Sequence, residues 1–164
     1  MSHQPVIDGF AFASAGATQQ GVWLIGDFPR LRDLLASDAG EVSYAVEGTR
    51  DEHGRAALRV RVRGVLQLRC QRCLEPLGFE VESDETLLLA ATQAEIDAES
   101  ADVQAPDRVL AGEEMPVRDL LEDELILALP YAPRHQGCGG GIASETHETV
   151  SPFAGLRGIL RGKH

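Results

Sequence analysis

Lysine is almost missing from this chain. Of the fifteen Lys and Arg residues in 164, all but Lys163 are arginine. Acids outnumber them at 26, and the formal net charge is −11. That balance excludes a surface that coats nucleic acid generally, which takes a broad basic excess, but leaves room for a local basic patch. The arginine bias favours forked, planar recognition of carboxylate or phosphate where such a patch exists. Aromatics are also scarce: one Trp, two Tyr and five Phe leave most core packing to Leu, Val and Ala. The apolar runs, such as Leu125–Leu129, are far too short to span a bilayer. Met1–Gln4 carries no basic cluster, and Asp8 and Gly9 interrupt Val6–Ala17, so no signal peptide is read there. The expectation is a cytoplasmic protein with no membrane association. Its three cysteines would be reduced unless bound to metal or reactive.

Period-two alternation supplies the positive signal. Val42, Tyr44 and Val46 share a face opposite Glu41, Ser43 and Glu47. From 55 to 70, Leu58, Val60, Val62, Leu66, Leu68 and Cys70 take even positions, while Arg55, Arg59, Arg61, Arg63, Gln67 and Arg69 take odd ones. Gly64 reads as a bend or bulge within that run, although the apolar parity survives it. Phe79 and Val81 then alternate with Glu80, Glu82 and Asp84. The pattern predicts an antiparallel sheet with one buried face and strands near 21–25, 41–48, 55–70 and 77–90. Helices are expected near 29–36, behind Pro29, and near 117–129, where Val117, Leu120, Leu121, Glu124 and Leu125 have helical spacing before Pro130. A third is expected near 152–160, capped by Ser151 with Phe153, Leu156 and Leu160 on one face. The fold class is α+β. Residues 1–164 read as one domain, with an acidic flexible loop at 93–114 and a loose Gly-rich segment at 137–150.

Three places could carry chemistry. The first is Cys70-Gln71-Arg72-Cys73, where a long strand turns back. Two thiolates two residues apart can grip one tetrahedral ion, and His135 with Cys138 could complete a Cys₃His zinc site. The plainer reading packs Cys70 in the core and leaves the other two cysteines as ordinary small residues. A thioredoxin-like redox pair fits less well, because that motif opens a helix, and here Pro76 and Gly78 imply a turn and another strand. The second place is the arginine stripe. Arg55, Arg59, Arg61, Arg63 and Arg69 line one face of a strand at ~7 Å spacing, which suits an RNA backbone, and Arg72 extends the line into the turn. The competing reading pairs them across strands with Glu80, Glu82, Asp84, Glu41 and Glu47 as charge-balanced surface. The third is the basic C-terminal stretch Arg157, Arg161, Lys163 and His164, either complementing a helix dipole or docking on a partner. No Walker A loop, GxGxxG, HExxH or GxSxG occurs, and His53 sits in the turn Asp51-Glu52-His53-Gly54. Glu122, Asp123 and Glu124 are adjacent on a helix and cannot all face one pocket. An enzyme is the least favoured class.

Two long blocks carry a family resemblance. They are Leu66-Gln67-Leu68-Arg69-Cys70-Gln71-Arg72-Cys73-Leu74-Glu75-Pro76 and Asp119-Leu120-Leu121-Glu122-Asp123-Glu124-Leu125-Ile126-Leu127-Ala128-Leu129-Pro130. With Pro152-Phe153-Ala154-Gly155-Leu156 and the acidic stretch between, they resemble the YceD family, the large ribosomal RNA subunit accumulation proteins. The resemblance implies a non-catalytic ribosome-biogenesis factor supporting synthesis, processing or stability of 23S rRNA. Its partners would be 23S rRNA or a large-subunit precursor, or a ribosomal or maturation protein, with no small-molecule substrate. The alternative is an acidic adaptor with a structural zinc site that binds protein and never touches RNA. The family region matching His135 and Cys138 is richer in cysteine in some branches than it is here.

Overall fold

The computed structural model describes residues 5–98 and 106–138. A short strand β1 (Val6–Ile7) leads into helix α1 (Gly9–Ala15), whose ends are both signalled locally. Asp8 Oδ1 accepts from Ala11 N at 2.9 Å, and Gly16 closes the helix in the left-handed region at φ 57°. Strand β2 (Thr18–Leu24) follows, then a 3₁₀ turn (Ile25–Asp27), helix α2 (Pro29–Arg32) and strand β3 (Leu35–Ser37). The long strands β4 (Glu41–Arg50), β5 (Ala56–Arg69) and β6 (Pro76–Ala90) come next. The described chain ends with helix α3 (Gln93–Asp97), strands β7 (Arg108–Leu110) and β8 (Met115–Pro116), and helix α4 (Val117–Ala128) before the loop to Cys138.

The architecture is α+β. Strands lie in the order β2-β4-β5-β6-β7, and β3 pairs with β5 beyond the end of β4. All pairings are antiparallel except β6 with β7, so the sheet is mixed at one edge. A separate ribbon joins β1 to β8. Leu58, Val60, Val62, Leu66 and Leu68 of β5 are buried, as the alternation requires, and form one core with Val42 and Val46. Phe28 and Leu31 enter that core from around α2, and Val117, Leu120, Leu121 and Leu125 enter it from α4. One sheet face is therefore covered and the other carries the arginines.

Several expectations shift in detail. The strand expected at 21–25 begins three residues earlier, and Ile25 belongs to the 3₁₀ turn. The helix expected at 29–36 stops at Arg32, because Leu35 pairs with Leu68 of β5 and burial in the sheet outweighs helical spacing. Gly64 is not a bulge: it stays in register between Val42 and Val81. Its missing side chain allows close approach instead, since a Cβ there would lie 2.6 Å from Val42 Cγ1. Within 93–114, the described residues include α3 and β7. The helix expected at 152–160, and all but two residues of 137–150, lie outside the described residues.

Candidate metal centre

The β5–β6 hairpin ends in the turn Cys70–Glu75, and its backbone is closed by two hydrogen bonds. Cys70 N donates to Glu75 O at 3.0 Å, and Leu74 N donates to Cys70 O at 3.0 Å. Leu74 completes the reversal with φ 64°, a left-handed conformation that a side chain adopts at some cost. Helix α4 then brings the distant half of the site to this turn. Past Pro130 the chain crosses the hairpin tip, where Gln71 N donates to Pro133 O at 2.8 Å. Two residues on, Cys138 N donates to His135 O at 3.1 Å, turning the loop so that both side chains face the hairpin.

Cys70, Cys73, His135 and Cys138 thus converge with all four ligand atoms within 4.8 Å of one another. The residues fit a tetrahedral zinc ion closely. Zinc–sulfur bonds of 2.3 Å place two sulfurs about 3.8 Å apart, and a zinc–nitrogen bond brings sulfur and nitrogen to about 3.6 Å. Cys70 and Cys138 sulfurs are 3.7 Å apart, and Cys73 Sγ lies 3.4 Å from His135 Nδ1. The cysteines are free thiols, and 3.7 Å is far longer than a disulfide bond. A further contact fixes the histidine. Its Nε2 donates to Pro76 O at 3.0 Å, which leaves the Nδ1 lone pair aimed at the sulfurs, the outer-shell arrangement that metal-ligating histidines use.

The four groups lie close enough to shift one another's ionisation. The Cys70 thiol is held down to about 5, first by the backbone N–H of Cys73, then by those of Arg72 and His135, while burial opposes them. Cys138 is pushed up to about 11 by its hydrogen bond with Cys73, by burial and by the neighbouring Cys70. His135 is raised by the Pro76 carbonyl and by Cys70. A lowered thiol also marks nucleophiles, but Cys70 is fully buried, and a nucleophile needs access. The pair is followed by a turn and a strand rather than a helix, which removes the thioredoxin-like geometry. Four protein ligands would saturate a zinc ion and leave no position for a reacting water; bound there, the ion would supply cross-linking.

The arginine stripe divides into two parts. Arg59 meets Asp84 with contacts of 2.7 and 2.6 Å, Arg61 meets Glu47 at 2.8 Å, and Arg63 meets Glu82 at 2.6 Å. Of these, Arg63–Glu82 is the directly opposite pair; the other two reach diagonally, because the residue opposite Arg59 on β6 is Thr86 and the residue opposite Arg61 on β4 is Ala45. Arg69 and Arg72, nearer the tip, are exposed and make no side-chain ion pair among the described residues. The basic C-terminal stretch lies outside the described residues.

Two buried carboxylates were not singled out as a pair by the sequence pattern. Glu122 is 1% exposed and reaches α2, whereas Glu124 is 5% exposed and accepts from Ser83 Oγ at 3.3 Å on β6. Asp123 points outward to Arg30. The three neighbours do face different ways, and Glu122 was legible only as another acid on an acidic helix.

The model of the family described as large ribosomal RNA subunit accumulation protein YceD matches residues 58–160, more than half of the chain. No solved structure matches it. Among the described residues, no helix is long and apolar enough to cross a membrane.

Proposed function

The chain belongs to the YceD family, and from that premise we propose that it is a non-catalytic factor supporting the synthesis, processing or stability of 23S rRNA. It acts in the cytoplasm on 23S rRNA or a large-subunit precursor, or through a ribosomal or maturation protein. The carrying observation is the family match across the hairpin tip, α4 and the loop beyond, the same segments that build the Cys70, Cys73, His135 and Cys138 cluster. Zinc held by those four residues serves as a structural clasp, in keeping with a role that needs a shaped surface and no reacting centre. Depletion of the protein should lower the ratio of 23S to 16S rRNA, and the wild-type chain should restore it. An unchanged ratio on depletion removes the proposal.

A second reading is favoured by one observation. Arg59, Arg61 and Arg63, the middle of the basic stripe, already hold Asp84, Glu47 and Glu82. An acidic adaptor that recruits a maturation protein would need no RNA-binding stripe there. Ultraviolet crosslinking in cells separates the readings, since the adaptor yields protein crosslinks without rRNA.

A further inference from the structure

Beside the cluster of Cys70, Cys73, His135 and Cys138 runs a groove of about 290 Å³, lined by Leu68, Gln71, Ile126, Leu129, Tyr131 and Pro133. Tyr131 is 104% exposed, so its ring is presented wholly to solvent on a short proline-bounded loop. Charge is distributed unusually around it. Although the chain holds 26 acids, none occurs in 65–74 or in 125–138, the two stretches that meet at the tip. Arg69, Arg72 and Arg134 belong to those stretches. All three are exposed, and their guanidinium groups make no hydrogen bond or ion pair among the described residues. The seam holds two of them near one another, since Arg72 follows Gln71, whose N–H donates to Pro133 O, and Arg134 follows Pro133; Arg69 ends β5 on the open sheet face, one residue before the turn. Glu75 is the acid nearest in the turn, and zinc with three thiolates would add one negative charge. The three arginines outweigh both.

We propose that this tip is where the protein holds single-stranded RNA, with an unpaired base stacked on Tyr131 in the groove and flanking phosphates on Arg69, Arg72 and Arg134. The inference rests on the proposed role in 23S rRNA accumulation and names its contact surface. An exposed aromatic ring can stack on a base only when the base is free of a duplex, and stacking is tolerant of sequence. Guanidinium forks match phosphate oxygens in pairs. The sheet stripe is then balanced surface, and the clasp keeps the loop that carries Arg134 on the turn that carries Arg72.

The test is fluorescence anisotropy of the full, zinc-loaded chain with a labelled 12-nucleotide single-stranded RNA of mixed sequence, between 50 and 200 mM salt. Changing Arg69, Arg72 and Arg134 together to Gln should weaken binding at least tenfold. The slope of log affinity against log salt should become shallower by about 2, given roughly 0.7 per phosphate contact on single strands. Tyr131→Ala alone should weaken binding between about fivefold and a hundredfold. Arg59→Gln with Arg63→Gln should leave it within twofold. Zinc content, measured on every variant, separates lost contacts from a lost clasp. Wild-type affinity in the zinc-loaded triple variant overturns the proposal, as does equal binding of a duplex of the same length. So does a tip that binds an acidic large-subunit protein through these arginines while the RNA goes unbound. In depleted cells, a triple variant that restores 23S rRNA overturns this inference alone, whereas depletion without effect removes the broader role.

Discussion

Replacing Glu122 tests how the helix that delivers His135 and Cys138 is fixed in place. Helix α2 begins after Phe28, which has no side-chain group to cap it. The vacant capping role is filled from another element. Glu122 Oε1 accepts from Arg30 N at 2.6 Å and Leu31 N at 3.0 Å, and Oε2 accepts from Arg30 Nε at 2.9 Å. Arg30 also reaches Asp123 at 2.7 Å, so α2 is tied to two successive residues of α4. In Glu122→Ala, the buried Leu31 N–H loses its one acceptor among the described residues, at ~1–3 kcal/mol for an unsatisfied buried donor. The part-buried Arg30 N–H and the void left by the side chain add to this, for a total of about 3–4 kcal/mol. The Arg30 side chain is 51% exposed and recovers water, so it adds little. Glu122→Gln can keep its carbonyl oxygen on both amides and sacrifice only the contact to Arg30 Nε, at about 1 kcal/mol. Urea denaturation with an unchanged m-value should therefore place alanine at least ~2 kcal/mol below glutamine. Equal losses in the two variants, or an alanine loss under ~1 kcal/mol, would refute the capping argument.

Other outcomes follow from single features. Elemental analysis should find one zinc per chain, falling to a small fraction in Cys73→Ser and Cys138→Ser; full retention in either would remove that residue from the ligand set. Gly48→Ala should destabilise by about 1–3 kcal/mol, because a Cβ there would run into the Phe12 carbonyl and lie 2.8 Å from Ala13 Cα, and α1 would have to lift from β4. An unchanged urea midpoint would show that α1 yields freely. Glu124 is raised by burial, with Ser83 opposing and Glu85, Asp107 and Asp123 adding to the rise. Its folded form therefore favours the proton, and stability declines as pH rises from the unfolded carboxyl value through the folded one. Thermal unfolding should show Glu124→Gln gaining midpoint over wild type at pH 7 and little at pH 4; an equal gain at both would locate the effect in packing rather than charge.

Much of this was legible because a half-buried sheet writes itself in alternation. The even positions of β5 are core and the odd ones polar, and the acids of β6 sit where the stripe can use them. Which acid serves which arginine was not legible, because the diagonal contacts of Arg59 and Arg61 depend on register and twist. Short elements also escaped. Strand β7 has three residues and runs parallel to β6, so no alternation could accumulate within an acidic stretch. Helix α1 carried its signals in Asp8 and Gly16, but its seven residues offer little apolar stripe. Leu35 had helical spacing and went to the sheet, since pairing at the open side of β5 buries it more completely.

The candidate metal centre was legible as residue types and illegible as a place. Cys70 and Cys73 announced a turn, but nothing local says that His135 and Cys138, some sixty residues on, return to it. That return is made by α4, about 18 Å long at 1.5 Å per residue, lying across the sheet. Its inward face is held by Leu121 and Leu125 in the core, and its lateral position by Glu122 on α2. Loss of the Glu122 clamp and loss of a ligand should therefore act on one object from opposite ends. Removing the clamp loosens the helix that presents the second ligand pair, and removing the metal loosens the loop that the helix delivers. If so, the two changes are coupled: Glu122→Ala should weaken zinc retention against a chelator, although Glu122 touches none of the four ligands.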